Sequence, residues 1–152
     1  MEEDEENYVV EQVPEFDLRF SRPGWWQFRL EEEEPATYLY WDEYTGSLRI
    51  TVWREGPSFS AADFLVRKFD AEHERGRTPE WRLIQGRRFV CYREDDAKEG
   101  TRSHFYITAH EDRIVVCSFA YSLSLLDDEL SELELEGAME DFDRVLESLT
   151  LS

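Results

Sequence analysis

Apolar and polar residues alternate with a period of two through most of this chain, and the pattern changes to a helical period twice. The first alternating run, Phe16-Asp17-Leu18-Arg19-Phe20, puts Phe16, Leu18 and Phe20 on one side and ends in the turn residues Ser21 to Gly24. Trp26, Phe28 and Leu30 form a second run, Thr37 to Trp41 a third, and Leu48 to Trp53 a fourth in which Leu48, Ile50 and Val52 share a face. Four short strands with tight connections predict an antiparallel meander.

The period then lengthens. Ser60 stands where it can cap a helix whose third residue is Asp63, and Phe59 and Phe64 occupy the two positions of a hydrophobic staple. That helix carries Phe64, Leu65, Lys68 and Phe69 and is predicted to stop near Gly76. Alternation returns in WRLI, RRFVCYRE, SHFYITA and RIVVCSFAY, separated by Gly86, by the polar run DDAKEG and by HED, which predicts adjacent antiparallel strands. A second helix closes the chain. Its Leu135, Ala138, Met139, Phe142, Val145, Leu146 and Leu149 fall within about 60° of one line on a helical wheel.

Strands, helix, strands and a closing helix predict an α+β fold, an antiparallel sheet flanked by helices in a single domain. The order of elements, the early Pro23-Gly24-Trp25-Trp26, the capped helix after LRITVWRE and the terminal FDRVLESLTLS resemble the PsbP and Mog-type α-β-α sandwich. Among such proteins the likeness extends to uncharacterised bacterial domains and to the Eag-type chaperones of secreted effectors. The resemblance covers Phe16 to Leu151 and implies that sandwich architecture, with an effector chaperone as one role for it. Residues 1–15 read as an acidic, flexible tail and 16–152 as the folded domain.

Charge changes the picture most. The chain has 36 acids against 17 bases, a net charge of -19 over 152 residues. Met1 to Glu34 hold 12 acids and 3 bases, Asp127 to Ser152 hold 10 and 1, and the middle is close to neutral. Solubility alone does not require that the charge sit at the two ends of the chain. Nucleic acid is excluded as an expected partner, because phosphate contacts need clustered Lys and Arg; the locally basic stretch from Arg75 to Arg93 is interrupted by Glu80 and bordered by Glu74 and Glu94. No run approaches the roughly 18 apolar residues of a membrane span, and the acidic N-terminus is the reverse of a signal peptide's basic start, so a cytoplasmic protein is expected.

Candidate chemistry is sparse. His104 and His110 share parity but no HxH, HExxH or CxxC accompanies them, and His73 suits a helix C-terminus, so neither metal nor cofactor is expected. Cys91 and Cys117 lie in apolar strand-like runs and read as buried thiols rather than a disulfide. Ser118, Ser122 and Ser124 lack a GxSxG elbow, and no glycine-rich phosphate loop exists, so no catalytic residues are assigned. Trp26, Trp41 and Trp81 read as core, whereas Tyr38 and Tyr40, with Trp53, are candidates for a binding groove.

The acids remain. Glu31, Glu32, Glu33 and Glu34 form an unrelieved run, and Glu136, Glu140, Asp143 and Glu147 line up beside the buried face of the last helix. Like charges four apart on a helix each cost roughly 0.2–0.5 kcal/mol, and only Arg144 offers local relief. Such a stripe makes physical sense if a basic partner neutralises it. The sequence therefore predicts a non-catalytic protein-binding domain, of the bacterial immunity or inhibitor type, contacting a basic toxin or effector through these acids and the two tyrosines. The alternatives are an effector chaperone using an apolar groove, and a small-ligand or carbohydrate module built on the tyrosines.

Overall fold

In the computed structural model, residues 7–31, 35–42 and 45–152 are described. Among these residues, ten strands and two α-helices are found: β1 (Tyr8–Val13), β2 (Leu18–Pro23), β3 (Gln27–Glu31), β4 (Thr37–Trp41), β5 (Gly46–Arg54), α1 (Ala61–Glu74), β6 (Glu80–Ile84), β7 (Arg87–Asp96), β8 (Thr101–His110), β9 (Arg113–Ser122), α2 (Glu129–Ser148) and β10 (Thr150–Leu151); β2 to α2 follow the predicted order, and β1 and β10 were not predicted. Seven strands form one antiparallel sheet in the order β3-β4-β5-β9-β8-β7-β6, and β1-β2-β10 form a smaller one. The architecture is thus α+β, with helices on both faces of the large sheet.

Cross-strand register explains the layers. Ile50 lies opposite Cys117, Cys117 opposite Tyr106 and Tyr106 opposite Cys91, and this row faces α2. One residue along, Val116, Ile107 and Val90 form a row on the other face, under α1. A strand buried on both sides needs large apolar groups at both parities, which is why β9 reads RIVVCSFAY. The buried face of α2, Leu135, Ala138, Phe142, Val145 and Leu146, is the predicted one, and Phe142 stacks on Phe119 with ring centroids 5.6 Å apart.

The first helix follows its signals. The Ser60 hydroxyl accepts from the Asp63 amide at 3.3 Å, the Phe59 and Phe64 rings are 5.6 Å apart, and Gly76 takes φ +85° just past the helix end. One residue of α1 escaped the sequence reading. Glu72 is buried and is gripped by Lys68 at 3.0 Å, Arg75 at 2.9 Å and Arg77 at 2.8 Å. Burial alone would raise its carboxyl, but Lys68, Arg77 and Arg75 outweigh that and hold it below the ordinary range.

Four expectations are corrected. Residues Tyr8 to Val13, assigned to a tail, pair with β2 from Tyr8 opposite Pro23 to Val13 opposite Leu18; residues 1–6 lie outside the described residues. The first run does not join the meander, because β2 sits in the small sheet beside α2, where the Ser148 hydroxyl accepts from the Ser21 amide at 2.8 Å. Trp26 is buried as expected, but Phe28 and Leu30 are exposed, since β3 is the edge of the large sheet among the described residues. Trp81 is half-exposed for the same reason on the opposite edge, held between Phe69, stacked at 5.1 Å, and the Arg88 guanidinium at 4.3 Å.

The small sheet is tied to the large one by Arg113. This buried guanidinium donates at 2.6 Å to the carbonyl oxygen of Phe16, to Ser152 O and to the Glu111 carboxylate. Arg113→Met is expected to cost about 1–3 kcal/mol, chiefly by leaving the Phe16 oxygen without a donor. Urea unfolding measures this, and a loss below the error of the method would show that water replaces the guanidinium freely.

Candidate functional site

The site is the outward side of α2. Asp128 caps the helix, its carboxylate accepting from the Ser131 amide at 3.1 Å and the Ser131 hydroxyl at 2.9 Å, and Glu129 and Glu132 then sit in the first turn, where negative charge suits the helix dipole. Beyond that turn the acids gain nothing from the dipole, yet Glu134, Glu136, Glu140, Asp143 and Glu147 follow, all exposed. Partial desolvation pushes the Asp143 carboxyl above its ordinary range; Arg82 opposes this, and Glu147 and Glu140 add to it. The like charges thus feel one another.

The sequence reading missed what lies between the acids. Leu130 is 73% exposed and Leu133 62% exposed, opposite the buried face, with Leu126 half-exposed one turn earlier. Leu133 forms a shallow open groove with Glu129, Glu132 and Glu136. Gly137 continues the line one turn further, and a Cβ placed there would meet nothing within 4 Å. Glu129, Glu136 and Glu140 run along one side of this apolar band, Glu134 along the other. The signal is present as leucines three apart on the polar side of the wheel, too few to make a repeat beside the long apolar face opposite.

At its far end the band meets Trp25, which is 50% exposed. Gly24 places it: the Gly24 amide donates to the Asn7 carbonyl at 2.7 Å, and a Cβ on residue 24 would lie 2.4 Å from that oxygen, so only glycine makes this turn. Tyr8 meets the Trp25 ring edge-on, with centroids 5.7 Å apart and planes at 84°, and donates its hydroxyl to Asp141 at 2.7 Å. Between Trp25 and α2 lies a cleft of about 360 Å³, lined also by Thr45 and Gly137, by the acids Asp42, Glu134, Glu140 and Asp141, and by one base, Arg144.

The other candidate residues do not join this surface. Glu31 is on β3 and pairs with Arg49 at 3.4 Å on the sheet face away from α2; Glu32, Glu33 and Glu34 lie outside the described residues. Tyr40 is corrected outright. It is fully buried, with Arg22 over its ring at 5.2 Å, because β4 is an inner strand and its side chain points under the small sheet. Tyr38 is half-buried and stacked on Phe28 at 6.3 Å.

His104 stacks on Tyr121, with its Nε2 3.0 Å from the tyrosine hydroxyl. Burial, then the cations Arg102 and Arg93, hold its pKa below the ordinary 6.5, and Asp95 opposes them. The unfolded chain therefore takes up a proton near pH 6.5 that the folded chain accepts only at lower pH, so this group's contribution to stability is full above 6.5 and declines as pH falls below it. His104→Gln is expected to flatten that part of the stability profile; urea midpoints at about pH 7 and pH 5 that fall equally in both proteins would contradict it. Cys91 and Cys117 are free and buried, and burial pushes both thiols up to about 12, so neither is poised as a nucleophile. Among the described residues no group of three or more His, Cys, Asp or Glu is arranged to hold a metal, and no helix is long and apolar enough to cross a membrane.

Comparisons with known proteins bear on the fold alone. No protein-family model matches the chain, and a search of curated proteins finds no match. Among solved structures, a protein from Bacteroides thetaiotaomicron VPI-5482 superposes with a TM-score of 0.69 at 16% identity, over 96% of this chain and 49% of that one, so the present chain spans about half its length. Cyanobacterial PsbP (CyanoP) from Synechocystis sp. PCC 6803 superposes with a TM-score of 0.59 at 12% identity, over 96% of this chain and 93% of the other. The chain has a PsbP-like fold.

Proposed function

We propose that this domain is a non-catalytic protein-binding module whose outward α2 surface captures a basic protein, in the manner of an immunity or inhibitor protein acting on a toxin or effector in the cytoplasm. One observation carries the reading: exposed Leu130 and Leu133 stand between rows of carboxylates on a helix whose other face is fully used by the core. Repulsion along α2 is relieved when a cationic surface covers it, and apolar contact then holds what charge has steered. The two leucines also suit the alternative of an effector chaperone, which would grip an apolar helix without needing the acids. The carbohydrate reading would have to rest on Tyr38 and the exposed Phe28 stacked on it at 6.3 Å, since Tyr40 is buried.

Capture experiments run in parallel with wild type and a Glu136→Gln, Glu140→Gln, Asp143→Gln, Glu147→Gln variant test the reading. A basic protein retained by wild type and lost by the variant supports it, and an acidic or neutral protein retained by both would replace it with the chaperone.

A further inference from the structure

The cleft at the Trp25 end of the apolar band differs in chemistry from the band. Leu130 and Leu133 ask for aliphatic neighbours, but the cleft offers an aromatic face, bare helix backbone and four acids, Asp42, Glu134, Glu140 and Asp141, against one base, Arg144, whose guanidinium lies over the Tyr8 ring at 5.7 Å. We propose that it is a socket for one arginine or lysine side chain of the basic partner, laid along the face of Trp25 with its charged head between Glu134 and Glu140. This deepens the reading of α2 as a docking face and rests on it.

Four features converge. The wall is Trp25, half-exposed and held in place by the edge-on ring of Tyr8, whose hydroxyl is in turn fixed by Asp141 at 2.7 Å. An indole face is the strongest aromatic partner for a cation. The floor is Gly137, where nothing stands within 4 Å of a Cβ position, so a methylene stem can lie against the helix itself. Glu134 and Glu140 are three residues before and after Gly137, which puts one exposed carboxylate on each side of that floor. Finally, the Thr45 hydroxyl lines the cleft, is shielded from solvent, and has no hydrogen-bond partner among the described residues. A multi-donor head such as guanidinium would satisfy it.

Spacing identifies the source of that side chain. Gly137 follows Leu133 by four residues, roughly one helical turn or 5.4 Å along α2. A partner helix lying along α2 would set aliphatic residues on Leu130 and Leu133 and present a cation one turn further, over the cleft. The ligand is therefore a basic amphipathic helix with its anchor cation next to its apolar stripe.

The probe for this is a synthetic amphipathic helix with leucine on one stripe and arginine flanking it, compared with the same peptide carrying citrulline, which is uncharged, at the anchor position. The Trp25 indole N–H cross-peak is assigned by its loss in Trp25→Phe. Titration is expected to shift that peak and the Gly137 amide saturably with the arginine peptide, and about tenfold less tightly with citrulline. Trp25→Ala and Gly137→Leu, which removes the wall and fills the floor respectively, are each expected to weaken binding about tenfold, with unchanged circular dichroism and melting temperature showing that the fold survives. If the arginine peptide binds with strong salt dependence but neither variant nor citrulline matters, the socket is wrong while the acidic docking face stands. If binding ignores salt and the four-glutamine variant as well, the docking face itself is wrong.

Discussion

Trp26→Ala is expected to destabilise the domain by about 3–5 kcal/mol, the cost of deleting a large aromatic from a closed core. The ring is buried where β2 turns into β3, and it stacks on Phe119 with centroids 6.1 Å apart; Phe119 in turn stacks on Phe142 of α2 at 5.6 Å. An alanine there leaves a cavity between the small sheet, the large sheet and α2, three elements that cannot all close on it. Trp26→Phe is expected to cost much less, because it keeps an aromatic ring against Phe119 and removes an indole N–H that is buried with no acceptor among the described residues. Guanidinium unfolding of both variants measures the difference. Equal losses, or a loss below about 1 kcal/mol for alanine, would show that packing against Phe119 does not hold these layers together.

The same residues show what a sequence can and cannot reveal. Periodicity located both helices and nearly every strand, since burial on one face leaves a repeating mark: Leu48, Ile50 and Val52 on β5, and Leu135 through Leu146 on α2, are where the pattern places them. Edges leave no such mark. Phe28 on β3 and Trp81 on β6 carry the same alternation as inner strands, and only the strand order, which depends on long-range pairing, puts them at the rim. Tyr40 erred in the opposite direction, because covering by the small sheet is invisible until β1 and β2 are known to pair.

The site was legible in part. Charge repetition along α2 marked Glu136, Glu140, Asp143 and Glu147 directly, but Leu130 and Leu133 received no role, because two leucines three apart on the polar side of a helix make no repeat of their own. Trp25 and Gly137 are distant in sequence and meet only through the turn at Gly24. Glu31 was grouped with the helical acids on charge alone, whereas its partner is Arg49, across the sheet from them.

Neutralising the helix carries the largest expected functional effect. The Glu136→Gln, Glu140→Gln, Asp143→Gln, Glu147→Gln variant should fold at least as well as wild type, since these groups are exposed and mutually repulsive. Its loss should fall on association, because long-range attraction acts before contact, and steering of this kind accounts for rate factors of about 10–1000. Dissociation should change less, being governed by Leu130, Leu133 and the contacts around them.

The most direct test is the association rate constant of wild type and this variant with the captured partner, each at about 0.1 M and 1 M salt, where the screening length shrinks from about 10 Å to about 3 Å. The account predicts a wild-type rate that falls at least about tenfold over this range and a variant rate that is already low and nearly flat. Wild-type and variant rates that coincide and ignore salt would contradict it.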